Sequence, residues 1–379
     1  MHGLSRTIGR VIASRLIHWQ RRHGRHDLPW QNTRDAYRIW LSEVMLQQTQ
    51  VGTVVPYYLR FVERFPDVGA LAAAELDEVL ATWSGLGYYS RARNLHRCAR
   101  EVLARHGGAF PGDPLRLAAL PGIGRSTAAA IAVFAFGRRA AILDGNVRRV
   151  LCRHAGLRGH PGVRAVENEL WRIAEELLPD NDVESYTQGL MDLGATVCVR
   201  RRPACDACPL ADDCRARRDG AVAELPTPRP RRSVPTRRCA MIVVRQGDRV
   251  LLERRPPTGV WGGLWSLPEA DLPQPGAGDA RRPAALAREV AQRFGLRVAR
   301  AKALAPFEHA FTHFRLQVQP VACELVAAGG VADAPGLAWL ALVEAGAAAL
   351  PRPVKTLLEG LAIRSRGAVE GTGGSPKGA

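Results

Sequence analysis

The sequence predicts a multidomain protein: an all-α N-terminal region closed by a four-cysteine loop, then a smaller α+β domain. Three observations carry this. Apolar residues recur at helical spacing from about residue 8 to about residue 215. Cys198, Cys205, Cys208 and Cys214 fall at C-x6-C-x2-C-x5-C, four thiols within seventeen residues. Beyond a Pro/Arg-rich stretch the pattern changes to short apolar runs of the kind that form strands. At 379 residues the chain is long enough for two or three cores. The expected divisions are 1–220 (helical, with a hairpin at 120–127 and the cysteine loop at 198–214), 221–238 (linker), 239–362 (α+β) and 363–379 (a Gly/Ser-rich disordered tail).

The elements follow in order. Val11, Ile12, Leu16, Ile17 and Trp19 make one apolar helix face. Further helical patterns cover 34–48, 53–64, 76–83, 91–106, 125–136, 147–154 and 163–178. In the linker, Pro226, Pro228, Pro230 and Pro235 alternate with Arg229, Arg231, Arg232, Arg237 and Arg238, which makes it extended and basic. Strand patterns follow at 240–244, 250–253 and 314–325, with a helix at 283–295.

The net charge of +17 and a pI near 10.5 favour a polyanionic partner, because Lys and Arg gain by neutralising phosphates. A general enrichment in Arg and Ala accounts for part of that excess. Of the eight cysteines, Cys98, Cys152, Cys239 and Cys323 stand alone, which argues against a disulfide framework and for a reducing compartment. No apolar run is long enough to span a membrane, and residues 1–10 lack a signal-peptide core. The expectation is a soluble cytoplasmic, nucleoid-associated monomer without membrane contact.

Four thiolates this close suit a tetrahedral metal or an iron–sulfur cluster, and spacing alone leaves zinc open. Between two helical stretches, Leu120-Pro121-Gly122-Ile123-Gly124-Arg125-Ser126-Thr127 makes a tight turn whose backbone N–H groups face an anion at the next helix start. The cysteine spacing and the hairpin together resemble the endonuclease III superfamily of helix-hairpin-helix DNA glycosylases. The resemblance implies a [4Fe–4S] cluster on Cys198, Cys205, Cys208 and Cys214. It also implies a hairpin that grips a DNA phosphate through Gly122, Gly124 and Ser126 without reading sequence.

Asp144, in Ile142-Leu143-Asp144-Gly145-Asn146-Val147, is a natural helix N-cap. In the superfamily an Asp at this distance after the hairpin is the catalytic carboxylate, and capping is compatible with catalysis. Glu43 lies beside Val44, Met45 and Leu46, where burial raises a carboxyl pKa and keeps a general acid protonated. The segment from Ser42 to Val51 resembles the MutY-type adenine DNA glycosylases, which carry this acid where endonuclease III-like relatives usually do not. Glu43 would then protonate adenine at N7, Asp144 would stabilise the sugar cation, and Asn146 would orient Asp144 or the sugar. Lyase-competent relatives carry a Lys at the hairpin position held here by Ser126. A hydroxyl forms no imine, so the resemblance implies a monofunctional glycosylase.

The target base must be flipped out of the duplex. By resemblance Gln48 and Tyr88 intrude near the lesion pair, Arg91 and Arg93 suit phosphates, and Arg25, Trp30, Leu46 and Gln188 form the adenine pocket. Residues 259–269 resemble the Nudix-like domain of the same family. Gln292 and Arg293 replace the Glu pair of a working Nudix box, too few carboxylates for Mg²⁺. Phe311-Thr312-His313 matches the family's Phe-Ser-His motif for 8-oxoguanine, with Thr for Ser. His309 and His313 also raise a metal pair, although no further ligands lie nearby in sequence. The implied activity is removal of adenine opposite 8-oxoguanine or guanine in double-stranded DNA. The rivals are a glycosylase–lyase for oxidised pyrimidines, a thymine mismatch glycosylase, a non-catalytic cluster-bearing DNA sensor and a nucleotide pyrophosphatase.

Overall fold

Helices form where the apolar stripes predict them. The computed structural model describes residues 6–230, 233–272, 283–328 and 336–370. In chain order the helices are α1 (Arg6–His23), α2 (Ala36–Leu46), α3 (Val51–Arg64), α4 (Val68–Ala73), α5 (Leu76–Trp83), α6 (Ser90–His106), α7 (Pro114–Ala118), α8 (Arg125–Phe136), α9 (Gly145–Ala155), α10 (Arg164–Glu176), α11 (Val183–Asp192) and α12 (Arg215–Arg218). Two compact units result: residues 1–74 with 91–231, and residues 75–90 with 232–379.

In the first unit one core joins Ile12 and Leu16 of α1, Ala129 and Ala130 of α8, and Val150 and Leu151 of α9. Leu170 and Ile173 of α10 and Tyr186 and Leu190 of α11 complete it. Helix α8 also packs on α2, so it is buried almost all round, which explains its Ala-rich composition. Asp35 starts α2 by accepting from the N–H groups of Tyr37 and Arg38. After α11 the chain makes a π-helical turn, Leu193–Val197, and enters the cysteine loop.

The second unit is built on a mixed sheet. Its strands are β1 (Thr236–Gln246), β2 (Arg249–Arg254), β3 (Trp265–Ser266), β4 (Glu269–Asp271), β5 (Leu296–Ala303), β6 (Phe307–Ala310), β7 (Arg315–Ala328) and β8 (Leu337–Ala341). The central order is β3-β2-β1-β7-β5, with β1 and β7 parallel from Thr236↔Arg315 to Arg245↔Glu324. Strands β4, β6 and β8 pair antiparallel with β1, β7 and β2. Helix α13 (Pro283–Arg293) lays Leu286, Ala287, Val290 and Ala291 on Ile242, Val244, Val321 and Cys323. Residues 75–90 join this unit through side chains. Asp77 accepts from Arg254 Nη1 at 2.9 Å and from Trp265 Nε1 at 3.3 Å, and Ser84 Oγ donates to Leu350 O at 3.0 Å.

Helix α14 (Arg352–Glu370) continues through 363–370, where the sequence pointed to a disordered tail. Its first turns are anchored by buried Val354, Leu358 and Leu361, and extending an anchored helix is easier than starting one. The 371–379 part of that tail and the Arg231–Arg232 step of the expected linker lie outside the described residues. Among the described residues no helix is long and apolar enough to cross a membrane.

Candidate active site

A cavity of about 480 Å³ in the first unit brings together Glu43 and the four residues expected to form the base pocket, Arg25, Trp30, Leu46 and Gln188. Its size falls in the range of small-ligand sites, ~300–1,000 Å³. Trp30 is nearly buried and meets Tyr58 edge-on at 5.3 Å between ring centroids, which fixes the indole as a wall. Glu43 sits on the last full turn of α2 and keeps only a partial opening, toward the cavity. Burial, and secondarily the charge of Asp144, push its carboxyl up to about 8.

Asp144 caps α9. Its Oδ1 accepts from the Val147 N–H at 2.7 Å and its Oδ2 from Asn146 Nδ2 at 3.4 Å. Burial raises its pKa as well, but here backbone N–H groups, Arg149 and the Asn146 amide pull the other way. No such donors act on Glu43, whose causes all raise the pKa. The donors around Asp144 favour its charged form, and nothing comparable does so for Glu43. Asn146 is itself fixed, because its Oδ1 accepts from Arg149 Nη2 at 2.8 Å. Ser126 Oγ accepts from the Leu143 N–H at 3.0 Å, tying the hairpin helix to the residue before Asp144.

Sequence reasoning missed Asp192. It is 0% exposed and accepts from Arg25 N at 3.0 Å, from Arg25 Nε at 2.7 Å and from Gln188 Nε2 at 2.9 Å. A lone Asp in the apolar run Leu190-Met191-Asp192-Leu193, four residues after Gln188, was the available signal.

At the hairpin Gly122 has φ +78°, and a Cβ there would lie 2.7 Å from the Asn94 Cβ, so glycine is required. Gly124 caps α8 at φ −87°, and a Cβ on it would meet nothing within 4 Å. The space in front of this helix N-terminus is open to an anion. Gln48 and Tyr88, the expected wedges, are both exposed and both left-handed, at φ 59° and 48°. Such backbone strain in a non-glycine residue is typical of functional positions.

Arg91 requires a correction. It is buried, and its Nη1 donates to the carbonyls of Val44, Met45 and Gln47 at 2.9, 2.8 and 2.7 Å, while Nη2 donates to Thr49 Oγ1 at 3.1 Å. The guanidinium closes the C-terminus of α2 and holds the Gln48 turn rather than facing a phosphate.

The four loop cysteines line one small apolar cavity with Arg153 and Val222. Among the described residues no three His, Cys, Asp or Glu side chains converge as a single-ion site. Four thiols lining one space fit an iron–sulfur cluster. Arg153, 3% exposed, holds the loop: Nη1 donates to Cys198 Sγ at 3.3 Å and to Val199 O at 2.8 Å, and Nε to Leu225 O at 2.8 Å.

In the second unit Phe311 stacks on Phe314 at 4.5 Å and meets His309 edge-on at 4.7 Å, and His313 meets Phe314 at 4.9 Å. Trp261 completes this aromatic group. The hydroxyls of Thr312 and Tyr88 are 3.0 Å apart. On α13, Arg293 contacts both carboxylate oxygens of Glu253 at 3.3 Å, setting a cation where a Nudix box needs metal-binding acids.

A helical core with hairpin, carboxylate and cysteine loop defines a DNA glycosylase of the helix-hairpin-helix class. Residues 41–176 match the model of the HhH-GPD superfamily base excision DNA repair proteins. Residues 198–214 match the iron-sulfur binding domain of endonuclease III, and residues 239–360 a NUDIX domain. The chain is 31% identical over 350 residues to the adenine DNA glycosylase of Buchnera aphidicola subsp. Acyrthosiphon pisum, covering 92% of this chain and 97% of the relative. It is 34% identical over 410 aligned residues to the adenine DNA glycosylase of Homo sapiens, covering 93% and 74%. A thermostable thymine-DNA glycosylase superposes with a TM-score of 0.51 at 30% identity, over 56% of this chain and 97% of that one. A trapped endonuclease III–DNA covalent intermediate shares the fold at a TM-score of 0.50 and 22% identity, over 57% and 99%. This chain belongs to the adenine DNA glycosylase family, base-excision repair N-glycosylases acting on DNA, and binds a [4Fe–4S] cluster.

Two outcomes follow from this geometry. The Glu43 pKa is raised on folding from 4.5 to about 8, so the unfolded chain sheds its proton first, and stability falls as pH rises between those values. Glu43→Gln removes this loss. The thermal midpoint of the variant should exceed that of the wild type by a margin that widens from pH 4.5 to 8, and a margin independent of pH contradicts the shift. Arg153→Met leaves several buried carbonyls unpaired. It should lower stability by about 3 kcal/mol and cut iron per chain and visible absorbance; full iron loading at wild-type stability contradicts the role.

Proposed function

We propose that the chain removes adenine paired with 8-oxoguanine or guanine and leaves an abasic site without cutting the strand. The observation that carries the chemistry is the contrast between Glu43, held near 8 by desolvation, and Asp144, surrounded by donors. Adenine leaves poorly as an anion. Protonation at N7 by Glu43 lets it leave as a neutral base, and the deoxyribose becomes an oxocarbenium ion. Asp144 stabilises that cation, with its carboxylate held by Asn146 and the Val147 N–H. Water adds to the sugar and completes hydrolysis.

The hairpin at Gly122 and Gly124 grips a phosphate beside the site. Gln48 and Tyr88 fill the gap left by the flipped base, which their exposure and strained backbones support. Phe311, Thr312 and His313 inspect the opposite base; the Tyr88–Thr312 hydroxyl pair links wedge and motif. Ser126 offers no amine, and its oxygen already accepts from Leu143, so a Schiff base is absent and with it the lyase step.

Single-turnover base release from duplexes holding a central A:8-oxoguanine, A:G, A:T or C:8-oxoguanine pair, read before and after alkali, tests this. Adenine should leave the first two duplexes, with breaks appearing after alkali, and Glu43→Gln should slow release by at least ~100-fold while still binding DNA. Breaks without alkali contradict the monofunctional reading. Tight lesion-selective binding without release would instead make the chain a sensor.

A further inference from the structure

Asp192 is a fully buried charge that base hydrolysis does not use. Its carboxylate pairs with Arg25 and accepts hydrogen bonds there. Gln188 stands one helical turn earlier on α11 and donates its Nε2 to Asp192 Oδ1 at 2.9 Å. The amide cannot turn its carbonyl toward Asp192 without setting oxygen against a carboxylate. Its Oε1, which has no hydrogen-bond partner among the described residues, is left to the cavity that Gln188 shares with Glu43.

We propose that Asp192 is a positioning residue that fixes the amide polarity of Gln188 and so makes the cavity select a purine with an amino group at C6 over one with a carbonyl there. This rests on the reading above, in which N7 of the base meets Glu43. On that edge adenine offers an acceptor at N7 beside a donor at N6, whereas guanine offers acceptors at N7 and O6. Hypoxanthine also has O6. The protonated Glu43 donates to N7 of any purine and discriminates nothing. The Gln188 Oε1 accepts from the adenine amine and opposes O6. A free amide would rotate to suit either base; tied to Asp192 it presents one face. Unpaired buried polar groups are what make such a site selective.

The test uses the full-length, cluster-loaded protein and duplexes carrying adenine, hypoxanthine or unsubstituted purine opposite guanine, with single-turnover release of each base. Comparing ratios between variants cancels the intrinsic lability of each base. Asp192→Ala should narrow the adenine-to-hypoxanthine ratio by about tenfold, because one hydrogen bond of discrimination is lost. A purely structural loss slows both bases alike and leaves the ratio unchanged. Gln188→Ala should reduce the adenine-to-purine ratio by a similar factor, and adding Asp192→Ala to it should shift neither ratio further. An unchanged ratio in Asp192→Ala, or a shift that persists in the double variant, overturns the proposal. Should Asp192→Ala fail to fold, Gln188→Ala decides through its adenine-to-purine ratio, where no change is the overturning result. Wild-type protein that releases no adenine would instead refute the underlying function.

Discussion

A carboxyl group enclosed without donors, within electrostatic influence of a second carboxyl that has them, is the constraint around which the helical unit is arranged. Two like charges in a partly dry space repel, so one group must keep its proton. Which one is decided by local backbone. Asp144 sits at a helix N-terminus, where free N–H groups and the helix dipole favour a negative charge. Glu43 sits on the last turn of α2, away from any helix N-terminus, and its neighbours Val44 and Met45 are buried. The contrast between the two carboxyl environments thus comes from where two helices begin and run.

Several polar side chains hold that pair and the cavity wall in place. Arg91 closes the end of α2, immediately after Glu43. Ser126 ties the hairpin helix to Leu143, and Arg149 steadies Asn146. Asp192 anchors Arg25 and Gln188 on the cavity wall. Each side chain stops a backbone or an amide from drifting, and each is an unremarked Arg, Ser or Asp when read as a letter.

Helices α5 and α8 have the bounds that periodicity predicts, because their apolar positions are unbroken and a glycine or a turn closes each. Helix α11 was not legible. Ser185, Thr187 and Gln188 interrupt its stripe, and it is helical because it packs against α1. Strands β5, β6 and β8 carry short or mixed patterns and owe their form to β7 and β2 beside them. The carboxylates, cysteines and pocket residues were singled out through motif resemblance, since chemistry restricts residue type and spacing. Arg91 misled because an Arg in an Arg-rich segment reads as surface, and only the fold reveals the carbonyls it caps. Asp192 escaped because its partners are 167 residues away at Arg25 and one turn away at Gln188.

The central claim is that a proton held on Glu43 drives base loss. The most direct measurement is the single-turnover rate of adenine release from an A:8-oxoguanine duplex as pH crosses 8. The account predicts a rate that falls by about tenfold per unit above that value, with the limb absent from Glu43→Gln. A wild-type rate that stays level or rises through the same range would contradict it.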